Sequence, residues 1–188
     1  MPASPSILAW ATRSVLLAAL LPVLADCGPA RNEFAPPCPR QAFLGDAANL
    51  DLYRASNAPG GRHDFTDLVL HARIVGMHGS CKPGDKKDQL ATTVAISVEL
   101  TRGPAMQGRD GEVPVFLAVT EGGEILDKHI YRLRVTFPSN VDRMVVNSDD
   151  QNLILPISST KSGAAYGLLA GFQLTPEQLE QNRQNAKP

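Results

Sequence analysis

The sequence lacks an excess of charge of either sign. Its 188 residues contain 18 Lys and Arg against 19 Asp and Glu, which gives a formal net charge of −1 at pH 7. Nucleic-acid binding depends on a net or local excess of basic side chains, so we expect no nucleic-acid partner. The hydrophobic content of 43% is too high for a disordered chain and is sufficient for a folded core.

A catalytic signature is also missing. The four residues 158–161 (SSTK) match the pattern S-x-x-K, but they link two predicted strands, whereas the catalytic form of this motif begins a helix. We therefore interpret them as a turn. The sequence predicts a protein that is not an enzyme, with no catalytic residues and no cofactor.

Residues with metal-ligand spacing are not found either. The histidines are His63, His71, His78 and His129, and no H-x-x-x-H, H-E-x-x-H or C-x-x-C pattern occurs. This favours histidines on the surface or on edge strands. Residues 147–152 offer Asn and Asp oxygens but lack the alternating acids and distal Glu of a calcium loop, so we expect an acidic turn there and no metal site.

The N-terminal hydrophobic run is too short to span a membrane. Residues 15–25 (VLLAALLPVLA) follow Arg13 and carry no charge. Such a run has the length of a signal-peptide core, whereas a spanning helix needs about 20 apolar residues. The sequence predicts a signal peptide over residues 1–26, the alternatives being a buried helix or an uncleaved anchor.

Residues 24–28 (LADCG) resemble the lipobox of bacterial lipoproteins. Leu24, Ala25 and Cys27 match the lipobox pattern, and Asp26 departs from it, since the residue before the cysteine is normally small. The resemblance implies that Cys27 is lipidated and anchors the chain in a membrane, and that Gly28 directs it to the outer membrane. The alternative is ordinary signal-peptide cleavage after Ala25.

Cysteine is scarce, with three residues in the chain. If Cys27 carries lipid, Cys38 and Cys81 remain as an even pair in an oxidising compartment, which predicts a disulfide between them. The bridge would close a loop of about 43 residues and stabilise the fold by about 4 kcal/mol. Two free thiols, or a metal site that also uses His78, are the alternatives.

Proline marks the boundary between anchor and domain. Residues 27–39 (CGPARNEFAPPCP) contain four prolines, which predicts an extended tether. Residues 40–63 show weak periodicity, and we expect an irregular lead-in there with a short strand or turn near residues 48–54. The folded part is predicted to be a single domain over residues 40–188.

Helical periodicity is absent from most of this domain, where a period of two replaces it. In residues 92–100, Thr92 and every second residue up to Leu100 share one face, which is typical of a strand. The same reasoning predicts seven strands: residues 68–75, 92–100, 113–120, 125–137, 144–147, 153–157 and 165–174. In the fourth of these, Tyr131, Leu133, Val135 and Phe137 are expected inward, and Arg132, Arg134 and Thr136 outward. Gly122 and Gly123 before it predict a hairpin turn. Short strands separated by turns predict an all-β fold, an antiparallel β-sandwich of immunoglobulin-like or similar type.

The C-terminal tail differs from the strands. Residues 175–180 (TPEQLE) place a capping Thr before a Pro and acids, which predicts a short helix that frays by Asn185. Trp10 lies in the leader and is the single tryptophan of the chain. The domain therefore lacks the buried tryptophan that is typical of antibody domains.

Three stretches carry a family resemblance: residues 32–39 (NEFAPPCP), 100–104 (LTRGP) and 171–177 (GFQLTPE). They resemble a lipoprotein family of alphaproteobacteria whose function is unknown. The resemblance covers most of the mature chain and implies localisation without implying an activity.

Together these observations predict a lipid-anchored protein of the cell envelope, on the outer membrane and facing the periplasm. Its expected role is structural or accessory, through contact with an envelope protein partner. The alternative is that the protein is soluble in the periplasm or secreted. A binding module for a small ligand, glycan or peptidoglycan is the second hypothesis. The loops at residues 79–88 and 102–112 are the surface candidates, because long loops often carry function.

Overall fold

The computed structural model of the protein describes residues 36–54 and 64–186. The predicted signal peptide, Cys27 and His63 lie outside these residues. The described strands are β1 (Arg40–Phe43), β2 (Asn49–Tyr53), β3 (Leu68–Pro83), β4 (Gln89–Arg102), β5 (Asp110–Glu121), β6 (Glu124–Thr136), β7 (Arg143–Asn147), β8 (Gln151–Pro156) and β9 (Tyr166–Phe172). One α-helix, α1 (Pro176–Asn185), follows them, and single 3₁₀ turns lie at Gly45–Ala47, Phe65–Asp67 and Gly163–Ala165.

The strands form two sheets. The first sheet has the order β1-β9-β5-β6, and the second has the order β2-β3-β4 with both β7 and β8 paired to β4. The pairs are antiparallel except β1 with β9, which is parallel. The predicted all-β sandwich with a short C-terminal helix is confirmed.

The core lies between the two sheets and follows the period of two. In β4, the residues from Thr92 to Leu100 that were predicted to share one face are buried. In β5, Val113, Val115 and Leu117 are buried in the same interior. Because successive side chains of a strand point to opposite faces, these alternating apolar residues place one side of each sheet against the other.

Strands β7 and β8 form one interrupted edge along β4. Residues 97–101 of β4 pair with β7, and residues 89–94 pair with β8. Ser148 fills the interruption: its hydroxyl oxygen accepts a hydrogen bond from the Ile96 amide, and the hydroxyl donates to the Asp149 carbonyl. The predicted turn at residues 148–150 is therefore a bulge within an edge and does not reverse the chain.

The N-terminal part of the sandwich is more regular than predicted. Strand β1 occupies a part of the chain expected to be irregular, and β2 lies where a short strand or turn was expected near residues 48–54. Strand β3 extends to Pro83, eight residues beyond its predicted end, so the expected loop at residues 79–88 is reduced to residues 84–88. Pairing with β4, which is itself 14 residues long, explains the extension, because each residue of β3 from Gly76 to Pro83 finds a partner there.

The predicted disulfide between Cys38 and Cys81 is present, with the two Cα atoms 5.8 Å apart. Cys81 lies within β3 opposite Thr92, not in the loop that follows it. Pro39 is buried, and the Cys81 sulfur lies 3.6 Å from the Pro36 carbonyl oxygen. The last four residues of the predicted tether, residues 36–39, therefore pack on the sandwich.

Helix α1 has the predicted capping box, in which the Thr175 hydroxyl accepts from the Gln178 amide and the Gln178 side chain accepts from the Thr175 amide. None of its residues is buried. Asn182 nevertheless fixes it to the sandwich, because its side-chain amide donates to the carbonyl oxygens of Asp46 and Asn49 at 2.9 and 2.8 Å. The helix thus covers the connection between β1 and β2.

Candidate interaction surface

Strand β6 is an edge of the first sheet. It pairs with β5 along one side, and no other described strand pairs with its opposite side. An edge strand presents unpaired backbone N–H and C=O groups, which can form hydrogen bonds with another extended chain. This edge is the first component of the candidate surface.

The first half of β6 is exposed on both faces. Ile125, Leu126 and Ile130 are 61%, 53% and 56% exposed, whereas Leu133 and Val135 in the second half are buried as predicted. The change occurs because the second half lies over the main interior cluster: Leu133 and Val135 belong to this cluster and Tyr131 packs against it, whereas no residue before Tyr131 in β6 does either. Large apolar side chains on an open edge are typical of a surface that contacts another molecule.

A tight turn and a bulge define the start of this edge. Gly122 and Gly123 both have positive φ, at 59° and 92°, as the predicted two-residue hairpin requires. The register between β5 and β6 shifts after Val119, so Leu126 has no paired residue opposite it. The bulge leaves Leu126 outside the regular ladder and exposes it.

A shallow apolar groove lies on the outer face of the same sheet. Its volume is about 220 Å³, and its lining includes Leu44, Ala47, Phe116, Ala118, Leu169 and Leu179. Phe116 and Ala118 are buried although they face away from the interior, since the 3₁₀ turn at Gly45–Ala47 and Leu174 pack against them. The outer face of this sheet therefore carries apolar side chains next to β6, whereas a face exposed to solvent usually carries polar ones.

Lys128 connects the groove to the edge. Its ammonium lies 4.3 Å from the centre of the Phe116 ring and donates to the Gln173 side chain at 2.8 Å. A cation above an aromatic face is held by the ring quadrupole. Lys128 thus places a positive charge at the rim of the groove.

The outer row of β6 carries two further cations. Arg132 and Arg134 both point outward, as predicted, and donate to the two carboxylate oxygens of Glu112 at 2.8 and 2.9 Å. The hydrogen bond from Arg134, followed by that from Arg132, holds the pKa of Glu112 below its ordinary value. Two guanidinium groups on one carboxylate leave a net positive charge at this position.

The second sheet carries a matching triad. Glu99 on β4 accepts hydrogen bonds from Arg143 at 2.8 Å and from Arg73 at 3.2 Å. The hydrogen bond from Arg143 is the largest cause that lowers the pKa of Glu99. The outer face of each sheet therefore has one carboxylate between two arginines.

Three of the four histidines are described, and each contacts a polar neighbour on its own sheet. His71 Nδ1 lies 2.6 Å from Asp51, and His129 Nε2 lies 2.9 Å from Asp127. His78 Nδ1 lies 3.3 Å from the Ser97 hydroxyl. Within residues 36–54 and 64–186, no three His, Cys, Asp or Glu side chains are placed to hold a metal ion.

Two serines lie near a potential base in space or in sequence, Ser97 beside His78 and Ser158 before Lys161, but both form hydrogen bonds with other partners. The Ser97 hydroxyl donates to Asn147 at 2.8 Å, so its proton is directed away from His78. Residues 158–161 form a turn, as interpreted, in which the Ser158 hydroxyl contacts Thr160. Lys161 instead donates to Glu121 at 2.7 Å. A nucleophile needs a base that accepts its proton, and neither arrangement provides one.

Sequence reasoning identified the outward arginines of β6 but missed the exposed edge. It placed residues 125–137 in one strand and assigned the inward row correctly from Tyr131 onward. The signal that was available is the segment Ile125, Leu126, Asp127, where two adjacent apolar residues break the period of two.

Of the two loops named as surface candidates, residues 84–88 and 103–109 remain outside strands.

Comparisons with protein families, with curated proteins and with solved structures found no match. In the part of the chain that the structure describes, no helix has the length and hydropathy needed to cross a membrane.

Proposed function

We propose that the protein is an exported lipoprotein of the cell envelope whose β-sandwich binds a partner protein without catalysis. Cys27 carries the lipid anchor, and the sandwich lies in the periplasm at the outer membrane. The partner adds an extended segment to the open edge of β6.

The exposed edge of β6 is the observation that supports this proposal. Among described residues it combines a free row of backbone hydrogen-bonding groups with three large apolar side chains, Ile125, Leu126 and Ile130. The other end of the same sheet differs, because β1 is four residues long. A short edge strand offers few hydrogen bonds, so β6 is the better docking edge of this sheet.

The anchor is supported by the sequence around Cys27. Eleven positions separate Cys27 from Cys38, where the chain is fixed to β3 by the disulfide. The proline-rich composition of residues 27–39 predicts an extended tether, which we propose holds the sandwich clear of the bilayer surface. Multiple acyl chains on one cysteine give a stable attachment.

Site-specific photo-crosslinking in living cells tests the docking edge. A photoreactive amino acid at Ile130 is expected to give a discrete adduct with one envelope protein. The matched control is Ile154 on β8, which is apolar and equally exposed, at 58% against 56%. The same adduct from both positions, or no adduct at Ile130, would contradict the proposal.

A second candidate function is the binding of a small ligand, and the groove beside Lys128 favours it. Apolar walls with one cation at the rim suit a compact apolar group that carries a negative charge. The fluorescent probe 8-anilinonaphthalene-1-sulfonate has this chemistry. We expect saturable binding that Lys128→Ala weakens and that the exposed Lys86→Ala does not; equal effects of both variants would remove this candidate.

A further inference from the structure

We propose that the segment bound by β6 is acidic and follows the pattern acid–x–acid–x–apolar–x–acid. This inference rests on the proposed role of β6 as a docking edge and specifies the chemistry of the partner. It is carried by the row of side chains on the outer face of β6.

That row is Lys128, Ile130, Arg132 and Arg134. Alternate residues of a strand share one face and lie about 7 Å apart, so the row presents one apolar and three cationic positions in a line. The Arg132 and Arg134 side chains are 68% and 82% exposed although both hold Glu112. Their remaining N–H groups face solvent and are open to further carboxylates.

The acids of this face lie one strand further in. Glu112 and Asp110 belong to β5, and Asp110 accepts a hydrogen bond from Thr136 at 2.6 Å. The three cationic residues therefore belong to the edge strand, whereas both carboxylates belong to the neighbouring strand. This outer row of β6 carries three cations and no acid, although the whole chain is nearly neutral; Asp127 of the same strand lies on the opposite face beside His129.

The register of an added strand gives the pattern. In an antiparallel pair, directly opposite side chains are about 5 Å apart at Cβ, and opposite charges there are favourable. Acids then lie opposite Arg134, Arg132 and Lys128, and an apolar residue lies opposite Ile130. Each acidic position faces a cation that the sandwich leaves on its surface.

Two other occupants fit the row less well. A second copy of β6 paired antiparallel about Ile130 would place Lys128 opposite Arg132, which is repulsive. A polyanionic polymer would neutralise the cations but would use neither Ile130 nor the free backbone groups. Both are distinguishable outcomes of the experiment.

The probe is a labelled nine-residue peptide of threonine with glutamate at its second, fourth and eighth positions and valine at its sixth. Fluorescence polarisation with the purified full chain in detergent measures its binding. We expect binding about tenfold tighter than that of the same peptide with lysine in place of glutamate. An isomer with the acids moved to adjacent positions is expected to bind as weakly as the lysine peptide.

Charge reversal at the edge supplies the decisive variant. Arg132→Glu with Arg134→Glu is expected to reverse the preference, so that the lysine peptide binds better. The matched control is Arg73→Glu with Arg143→Glu, which changes the equivalent triad around Glu99 on the other sheet and is expected to leave the preference unchanged. Circular dichroism checks that both double variants retain the sheet fold.

Several results would overturn the inference. These are equal binding of the acidic peptide and its isomer, no binding of any peptide, or equal loss in both double variants. If dextran sulfate displaces the peptide equally well from the parent and from Ile130→Glu, the occupant of the edge is a polyanion. If the protein forms a dimer that Ile130→Glu abolishes, the occupant is a second copy of the chain. If the Ile130 crosslink persists in cells carrying Arg132→Glu with Arg134→Glu, the acidic pattern fails while the docking edge stands.

Discussion

Cys38 and Cys81, with Cα atoms 5.8 Å apart, join the segment before the first strand to the longest strand of the sandwich. The bridge closes a loop that contains β1, β2 and most of β3. It therefore links the edge of the first sheet covalently to a central strand of the second.

Removal of this bridge is expected to destabilise the fold strongly. In the chain-entropy estimate, a loop of about 43 residues contributes about 4 kcal/mol to the free energy of unfolding. Urea denaturation of Cys38→Ser with Cys81→Ser, compared with the oxidised parent, measures the difference. The reduced parent is the control and should match the double variant; equal stability of all three would contradict the prediction.

Cys27→Ala is expected to release the protein from the membrane fraction, because the substitution removes the residue that carries the proposed lipid. Fractionation followed by immunoblotting measures the shift, with Cys38→Ala as the control that should stay in the membrane. Mass spectrometry of the mature N-terminus gives an independent check. An unmodified chain that begins at Asp26 would show ordinary cleavage instead.

Ser148→Ala is expected to destabilise the sandwich by about 1–3 kcal/mol. The hydroxyl oxygen accepts the Ile96 amide at the interruption between β7 and β8, and alanine leaves that buried donor without its partner. Ser158→Ala in the exposed turn is the control and should change stability by less than about 0.5 kcal/mol. Thermal or urea unfolding that ranks the two variants equally would be inconsistent with this role of Ser148.

The Glu99 triad is expected to make stability dependent on pH. The hydrogen bond from Arg143 lowers the pKa of Glu99 in the folded state, so its contribution is present above the unfolded pKa and is lost as pH falls through the folded value. Glu99→Gln should therefore be less stable than the parent at pH 7, and the difference should shrink below about pH 4. Urea midpoints across this range measure it; a difference that grows on acidification would have the wrong sign.

A strand could be predicted from the sequence where its apolar and polar residues alternate in step with its buried and exposed faces. Residues 92–100 alternate cleanly because β4 is central, with an interior face and an outer face, and this strand was predicted correctly. Strand β1 was missed because all four of its residues are exposed and its partner β9 lies more than 120 positions away. No local pattern records a parallel pairing over that separation.

The candidate surface was less predictable for a related reason. The outward direction of Arg132 and Arg134 follows from the period of two, but their contact with Glu112 depends on the register between β5 and β6. The position of β6 at an edge depends on the order of strands, which is a property of the whole sheet. The disulfide was predictable because the proposed lipidation of Cys27 leaves an even pair.

The disulfide also determines how the sandwich bears mechanical load. A pull on the chain from its N-terminal side enters at Cys38 and passes through the sulfur bridge to Cys81. Strand β3 then carries the tension, and its thirteen paired positions with β4 oppose extraction together. The four-residue strand β1 is bypassed, so the weakest strand pairing at that end of the first sheet is protected from force.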